Sequence, residues 1–375
     1  MKIEKLKDFV QSANVNFLIG SGLSCPFLPT LRNIEKQLSA VKNLPEEKRE
    51  GVTASIYREY FEKVIAPNQI KGRPQAKYLE TLDNYKEFLN IWNAILHNRC
   101  TSLRSKQANI YSTNIDLMVE KAAEVVAVEF NDGFIGSVMP VFSEANFQKT
   151  VRKESAHFQN STELPVFNLM KMHGSVNWKN VRDKIINDYN LSLISRVNKV
   201  VVKYDEGVFP QYYADNAEIA KQIEVPADFS DFADAYNQFQ IVNPTKRKFS
   251  ETVMDMHFYE LMRMFSNSLE RENSLLFVMG FSFADEHIRS IVKRALKTNP
   301  TLVVIVFAHE DNDENSYRSK FEENFSNLMI VTPSNYNEDN SMKEESKIEK
   351  FDFKSVNKVF QELLNLIPVR FGDGR

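Results

Sequence analysis

Residues 14–24 read NVNFLIGSGLS, a short apolar run that passes directly into a glycine loop. The run has the length of a buried strand, and Gly20 and Gly22 let the backbone turn and come close to a ligand. Thr30 then offers a suitable N-cap for a helix that begins with LRNIEKQLSAV. The predicted order is therefore a strand, a glycine loop and a helix.

The same alternation of apolar runs and amphipathic segments continues along the chain. Further predicted strands are NIYST (109–113), PVFNLMKMHG (165–174), QFQIVNP (238–244), SLLFVMG (274–280), TLVVIVF (301–307) and NLMIVTP (327–333). Fully apolar strands are typical of parallel sheets that are covered on both faces. We therefore predict an α/β fold with a Rossmann-like, doubly wound parallel sheet.

Two stretches interrupt this alternation. Residues 35–105 have a helical, polar pattern with scattered apolar positions, and we interpret them as an inserted helical lobe. The region after residue 174 is expected to be irregular to about residue 238. We predict one domain over residues 1–334, followed over residues 335–375 by a flexible polar loop and a C-terminal helix.

Composition restricts the class of protein. With 375 residues, 43% hydrophobic and 26% charged, the chain suits a globular protein that buries a substantial core. Its net charge of −3 gives no indication of direct nucleic-acid binding or of attachment to an anionic membrane. Two cysteines, Cys25 and Cys100, cannot form a four-thiolate zinc site, and we expect no metal. Neither a signal peptide nor an apolar run of ~20 residues is visible, so we expect a cytoplasmic protein with no membrane contact.

Small and polar residues follow four of the predicted strands, in the motifs GSGLS, STNID, KMHG and GFSFAD. Ligands of open α/β sheets bind at the carboxyl ends of the strands, so these positions are the candidate site. The candidates are Gly20, Ser21, Gly22, Ser24, Thr113, Asn114, Asp116, His173, Gly280, Ser282 and Asp285. In a parallel sheet all four motifs would converge on one edge.

Each motif alone has a structural explanation as well. The glycine loop lacks the third glycine of the dinucleotide fingerprint and suits a tight turn equally well. Asn114 or Asp116 could cap a helix, and Ser282 or Asp285 could do the same. A histidine at the end of an apolar strand, such as His173, is more often a satisfied core residue than a catalyst.

In this order GSGLS, STNID, MHG and GFSFAD resemble the motifs of the sirtuin-like superfamily. LPTL, NPTKRKF and GFSFADEHI are similar to segments of the bacterial sirtuin-like domains of anti-phage defence systems. The resemblance extends from about residue 14 to about residue 295. It implies a catalytic domain over residues 1–334 that binds nicotinamide adenine dinucleotide (NAD).

The resemblance also implies where the parts of the dinucleotide bind. Gly20, Ser21 and Gly22 would face the diphosphate, while Ser282 and Asp285 would hold the phosphate or ribose on the adenosine side. Ser24, Thr113 and Gly280 belong to the same motifs and would line the binding site.

The remaining candidates would surround the bond that breaks. By the same resemblance Asn114 would bind the nicotinamide ribose and its water, Asp116 would bind the nicotinamide amide, and His173 would be the general base. A neutral imidazole, with an ordinary pKa of ~6.5, suits that role near pH 7.

Two departures from the family bear on the reaction. The cysteines cannot build the zinc ribbon of protein deacylases, and the chain reads PFLPTLR where those enzymes carry a PDFR segment. We therefore expect water as the nucleophile and an NAD+ hydrolase that depletes NAD+ in abortive infection. A sensor that binds NAD or ADP-ribose without turnover is the alternative. A protein deacylase, or a dehydrogenase with an incomplete fingerprint, is less favoured.

The resemblance further suggests partners. Chains of this type are similar to the sirtuin-like component that pairs with a HerA-type hexameric ATPase. We therefore expect a homo-oligomer, with a large ring as one arrangement. Candidate interfaces are the helical lobe at residues 35–105 and the C-terminal helix at residues 354–366.

Overall fold

A seven-stranded parallel sheet forms the centre of the structure, with helices on both faces. The structure is a computed structural model, and it describes residues 1–30, 32–99, 104–147, 149–157, 160–204, 209, 228–243 and 256–368. Several predictions fall outside these residues: Leu31 of the first helix, residues 244–249 of NPTKRKF, the first five residues of a helix predicted over 251–270, and Cys100.

The strands follow one another along the chain as β1 (Asn14–Ile19), β2 (Gln107–Ser112), β3 (Glu129–Asn131), β4 (Phe134–Ile135), β5 (Val141–Phe142), β6 (Arg152–Glu154), β7 (Ser161–Glu163), β8 (Val166–Lys171), β9 (Gly174–Val181), β10 (Lys184–Asn187), β11 (Phe239–Ile241), β12 (Ser274–Met279), β13 (Val303–Phe307) and β14 (Leu328–Val331). The central sheet has the order β14-β13-β12-β1-β2-β8-β3, and all its pairs are parallel. The predicted doubly wound, Rossmann-like α/β fold is confirmed.

The α-helices of the described residues are α1 (Ile3–Ser12), α2 (Arg32–Ala40), α3 (Glu46–Tyr60), α4 (Ala76–His97), α5 (Met118–Val126), α6 (Ser192–Val201), α7 (Ser230–Tyr236), α8 (Met256–Glu270), α9 (Glu286–Thr298), α10 (Asp313–Phe321), α11 (Pro333–Asp339) and α12 (Phe353–Leu366). Residues of α1, α4, α5 and α12 pack on one face of the central sheet, and residues of α8, α9 and α10 pack on the other. Alternate side chains of each strand supply the two cores, as Phe17 and Leu18 of β1 illustrate.

The helical lobe differs in extent from the predicted insertion at residues 35–105. Residues of α2 and α3 pack with residues of α6, α7 and β11 in a separate apolar cluster. Helix α4 instead packs on the central sheet, where Trp92 contacts Phe17 edge to face with ring centroids 4.8 Å apart. The lobe therefore combines residues before α4 with residues after 190, a long-range pairing that helical periodicity does not reveal.

A second sheet occupies part of the region that we expected to be irregular. It has five strands in the order β11-β9-β10-β5-β4, all antiparallel, and β6 pairs with β7 in a separate hairpin. Most of these strands have only two to four residues. Such short strands leave too few positions for an alternating pattern to be recognised.

The segment after residue 334 was predicted as a flexible loop, and the structure corrects this. Helix α11 begins there with Pro333 and is capped by Thr332, whose hydroxyl accepts from the Asn335 amide at 3.3 Å. Tyr336 is fully buried, and its hydroxyl donates to Glu362 of α12 at 2.7 Å. The segment therefore contributes to the core beside the predicted C-terminal helix, which is present as α12.

Four strands of the central sheet carry asparagine in register across one face: Asn16, Asn109, Asn168 and Asn131. Asn109 donates to Asn16 at 2.9 Å, Asn168 donates to Asn109 at 3.1 Å, and Asn131 donates to Asn168 at 3.2 Å. These side chains satisfy one another within an otherwise apolar layer, so the ladder favours this strand register.

Asn168→Ala is expected to lower the free energy of unfolding by about 1–3 kcal/mol, because Asn109 loses its buried donor. Urea unfolding at neutral pH measures the loss. Asn365→Ala, at an exposed position of α12, is the matched control and should change the free energy by less than about 0.5 kcal/mol. Equal losses in the two variants would contradict a stabilising role for the ladder.

Candidate functional site

The four candidate motifs follow β12, β1, β2 and β8, which are adjacent in the sheet in that order. Because these strands are parallel, their carboxyl ends, Met279, Ile19, Ser112 and Lys171, share one edge. The structure thus brings the four motifs together, as the sequence predicted.

Glycines make the closest contact at this edge. The Gly22 amide donates to the Gly280 carbonyl at 3.0 Å, and an added Cβ on Gly20 would lie 2.4 Å from the same oxygen. Gly280 itself has φ +60, a conformation that favours glycine. A short 3₁₀ helix, Ser21–Ser24, follows Gly20, whereas the next α-helix begins only at Arg32. The loop therefore leads first into this short helix, and the α-helix that we predicted after Thr30 follows it.

Asn114 lies just beyond the end of β2 and is 7% exposed. Its Nδ2 donates to the Gly20 carbonyl and to the Ser24 hydroxyl, both at 3.1 Å. These bonds use both amide hydrogens and fix the orientation of the amide. Its Oδ1 is buried and has no hydrogen-bond partner among the described residues. Asn114 does not cap α5, since that helix begins at Met118.

Asp116 lies beneath Asn114 in the same hydrogen-bonded chain. The Ser24 hydroxyl donates to Asp116 Oδ2 at 2.6 Å, and the Met118 amide donates to Oδ1 at 3.0 Å. The second bond satisfies the first amide of α5, a structural role that the sequence had left open, although the N-cap position itself is Leu117. Burial first, and then the negative charge of Asp116, raise the pKa of the Tyr60 and Tyr85 hydroxyls above their ordinary range.

A buried ion pair supports the Asp116 loop from the next strand. Lys171, at the end of β8, lies 3.0 Å from Glu120 Oε1 and also donates to the Asp116 carbonyl. Burial raises the pKa of the Glu120 carboxyl, and the Lys171 charge opposes that shift. Neither residue was among the candidates, although Lys171 begins the KMHG motif. A charged residue that ends an otherwise apolar strand was the available signal for Lys171.

His173 lies in the turn between β8 and β9, beside the segment that holds Asn114. The Met172 amide donates to the Ser112 carbonyl at 2.9 Å, and the Val176 amide donates to the Ile115 carbonyl at 3.0 Å. The two segments therefore run side by side beyond their strands. Gly174 permits this turn, because it has φ +73 and an added Cβ would lie 2.0 Å from the Gln240 carbonyl oxygen.

Asp285 faces His173 from the end of the β12 motif. Its Oδ2 lies 3.2 Å from His173 Nε2, and both side chains are less than 10% exposed. Its Oδ1 accepts from the His287 and Ile288 amides, so Asp285 is also the N-cap of α9. This cap is the structural alternative that the sequence had allowed for Asp285.

The other candidates lie nearer the surface. Ser21, Gly22, Thr113 and Ser282 are all half-buried, and Gly280 is exposed. Solvent exposure at this edge thus decreases from the partly exposed small residues to Asn114 and His173, which lie beneath them and are nearly buried. Such a gradient suits a ligand whose reacting bond is shielded from water.

Within residues 1–368, where described, no group of three or more His, Cys, Asp or Glu side chains is placed to hold a metal ion. The described helices include none that is long and apolar enough to cross a membrane.

One comparison with known proteins gave a match, and another gave none. No curated protein matches the chain. A family model matches residues 230–343, a range that contains Gly280, Ser282 and Asp285 but neither Asn114 nor His173. That model describes the SIR2-like domain, so the match supports a relationship of this chain to SIR2-like proteins and suits a protein that binds or uses NAD.

Proposed function

We propose that the chain is an NAD+ hydrolase that converts NAD+ and water to ADP-ribose, nicotinamide and a proton. The observation that carries the proposal is the placement of Asn114 and His173 directly after two paired strands, at the edge that also holds the glycine contact. The SIR2-like match supports a dinucleotide as the substrate.

Two features of the residues present fit a dinucleotide. The contact between Gly22 and Gly280 keeps side chains away from a partly exposed turn, where a diphosphate could approach backbone amides. Beneath it, Asn114 Oδ1 is a buried acceptor that has no partner among the described residues. A ribose hydroxyl is a donor of suitable size to satisfy it.

The hydrogen-bonded chain behind Asn114 determines what that side chain can do. Asp116 accepts from Ser24, and the Ser24 oxygen accepts from Asn114 Nδ2. Asn114 can therefore present only its oxygen to the substrate. We propose that this oxygen anchors a hydroxyl of the nicotinamide ribose.

The Asp116 carboxylate is already engaged in hydrogen bonds within the protein. Its two oxygens accept from Ser24 and from the Met118 amide, and the residue is 3% exposed. Breaking the bond between ribose C1 and the pyridinium nitrogen develops positive charge on the ribose. We propose that Asp116 stabilises this charge from beneath Asn114, in place of direct contact with the nicotinamide amide.

The imidazole of His173 is a group at this edge that can accept a proton. In the proposed reaction water forms the new bond to C1, and His173 takes up the proton that the water releases. A positioned base of this kind contributes about 10²–10⁴ to the rate. Nicotinamide leaves as a neutral molecule because it takes both electrons of the broken bond.

Incubation of the purified chain with NAD+ tests the proposal. We expect equal amounts of nicotinamide and ADP-ribose by chromatography, and loss of both products in the Asn114→Ala/His173→Ala double variant. Matched controls are Asn365→Ala and His309→Ala, at exposed positions outside the candidate site. Circular dichroism of each variant checks folding. Unchanged nicotinamide release in the double variant would refute the proposal, whereas binding without products would favour the sensor.

A biological role and partners follow as further proposals from the motif resemblance. We propose that NAD+ depletion serves anti-phage defence in the cytoplasm, and that the chain forms a homo-oligomer that pairs with a HerA-type hexameric ATPase. Native mass spectrometry of the chain, alone and mixed with such an ATPase, measures both assemblies. A monomer under both conditions would contradict the proposed assembly.

A further inference from the structure

Asp285 has two simultaneous contacts, and each uses a different carboxylate oxygen. Oδ1 accepts from the His287 and Ile288 amides at 3.0 and 3.2 Å, while Oδ2 lies 3.2 Å from His173 Nε2. The helix cap therefore fixes the carboxylate, and the fixed carboxylate presents one oxygen to the imidazole. The cap that explains Asp285 structurally is also what orients it toward His173.

Both carboxylate oxygens of Asp285 have partners within the protein. A carboxylate that directly faced the phosphates would place negative charge beside the diphosphate, which is unfavourable in a nearly buried site. Asp285 is 8% exposed, and its oxygens face helix amides and an imidazole. Its charge therefore lies beside the imidazole.

An ionised carboxylate only accepts hydrogen bonds, so it selects one form of the neutral imidazole. The Nε2 nitrogen that faces Asp285 must then carry the hydrogen, which leaves the lone pair on Nδ1. A separation of 3.2 Å allows that hydrogen bond, and catalytic contacts of this kind tighten when substrate binds.

We propose that Asp285 is a positioning residue that holds His173 in the Nε2–H tautomer and so makes Nδ1 the basic atom of the site. This inference rests on the proposed hydrolase. In the reaction Nδ1 accepts the proton released by the attacking water, the adjacent carboxylate stabilises the resulting imidazolium, and the proton then passes to solvent.

Asp285→Asn tests the tautomer without removing the cap, because asparagine caps helices as well as aspartate does. If the new Oδ1 keeps the helix amides, the amide nitrogen replaces Oδ2 and donates to Nε2. The imidazole must then carry its hydrogen on Nδ1. Asp352→Asn is the matched control, since Asp352 caps α12 by accepting from the Ser355 amide at 2.8 Å.

The measurement that does not need turnover is nitrogen NMR of histidine-labelled protein at about pH 8.5, where an ordinary imidazole is neutral. The signals of His173 are assigned by their loss in His173→Gln. We expect the Nε2–H form in the wild-type protein and in Asp352→Asn, and the Nδ1–H form in Asp285→Asn. A wild-type Nδ1–H form, or an unchanged tautomer in Asp285→Asn, would overturn the proposal even if the chain hydrolyses NAD+.

Kinetics supply the second measurement. We expect kcat for nicotinamide release to fall by roughly 100-fold or more in Asp285→Asn, with KM nearly unchanged, because the base and not the binding surface is altered. Asp285→Ser covers the case in which Asp285→Asn does not fold. The serine hydroxyl can still cap α9 but is too short to reach His173, so we expect a mixture of the two His173 tautomers. A wild-type tautomer ratio in Asp285→Ser would also contradict the proposal. A wild-type protein with the expected tautomer but no NAD+ cleavage would contradict the hydrolase and leave this positioning role standing.

Discussion

Lys171→Met is expected to lower the free energy of unfolding by about 3–5 kcal/mol at neutral pH, because it leaves the buried Glu120 carboxylate without its cation. The lysine side chain is only 3% exposed, so water cannot replace the lost charge. The Asp116 carbonyl loses its ammonium donor as well. Urea unfolding of the wild type and the variant measures the loss.

The size of this effect depends on pH in a direction that the structure determines. Burial raises the pKa of Glu120 above the ordinary 4.5, and Lys171 opposes that shift, so the variant raises the pKa further. A carboxyl whose pKa is raised in the folded state destabilises that state least at a pH where the group is protonated in both the folded and the unfolded protein. The destabilisation should therefore be largest at neutral pH and shrink as the pH falls toward 4.5.

Two further variants separate charge from packing. Glu120→Met added to Lys171→Met should restore all but about 1 kcal/mol, the remainder being the lost bond to the Asp116 carbonyl. Lys293→Met breaks a pair of 2.7 Å with the exposed Glu322 and should cost less than about 1 kcal/mol. A Lys171→Met loss that is independent of pH and is not rescued by the second substitution would show that the ion pair is not its cause.

The central sheet could be predicted from the sequence because its strands are buried on both faces. FLI of β1 and LLFVM of β12 are uninterrupted apolar runs before a glycine, and the structure pairs the two strands residue by residue from Asn14 and Ser274 onward. The small antiparallel sheet gives no such signal. Its longest strand, β9, reads GSVNWKNV, and it pairs with the neighbouring β10 on one side and with β11, which is distant in the sequence, on the other.

The candidate site was also predictable only in part. Strand ends identify Asn114 and His173, since the carboxyl edge of a parallel sheet is where polar residues after apolar runs must meet. The residues that support this edge come from other elements: Tyr85 of α4 contacts the Ser24 hydroxyl, and Glu120 in the first turn of α5 pairs with Lys171. Which helix covers which strand end is decided by packing, and a single sequence does not carry that information.

Gly20→Ala is expected to lower the free energy of unfolding by about 3 kcal/mol, and the reason is contact alone. Gly20 has φ −114 and ψ 178, a conformation that alanine adopts without strain. Its added Cβ would lie 2.4 Å from the Gly280 carbonyl oxygen and 2.7 Å from Phe281 Cα. Both are backbone atoms of the adjacent motif, so the two segments must separate.

Gly72→Ala is the control variant, because there the added Cβ strains the backbone conformation but contacts no other atom. Gly72 has φ +80, and an added Cβ meets no atom within 4 Å, so that variant should cost only about 1–2 kcal/mol through the left-handed backbone. A Gly20→Ala loss no larger than that of Gly72→Ala would contradict the contact.

The same variant tests what the glycine contact contributes to the site. Gly20 supplies the carbonyl that holds Asn114 Nδ2, so separation of the two segments should also release the Asn114 side chain. We therefore expect Gly20→Ala to weaken NAD binding in calorimetry at a temperature where the variant is still folded. Gly72→Ala lies outside these contacts and should bind NAD like the wild type. A Gly20→Ala variant that loses stability but keeps its affinity for NAD would show that the glycine loop is a structural turn, as the missing third glycine of the fingerprint allows. The diphosphate would then bind elsewhere on this edge.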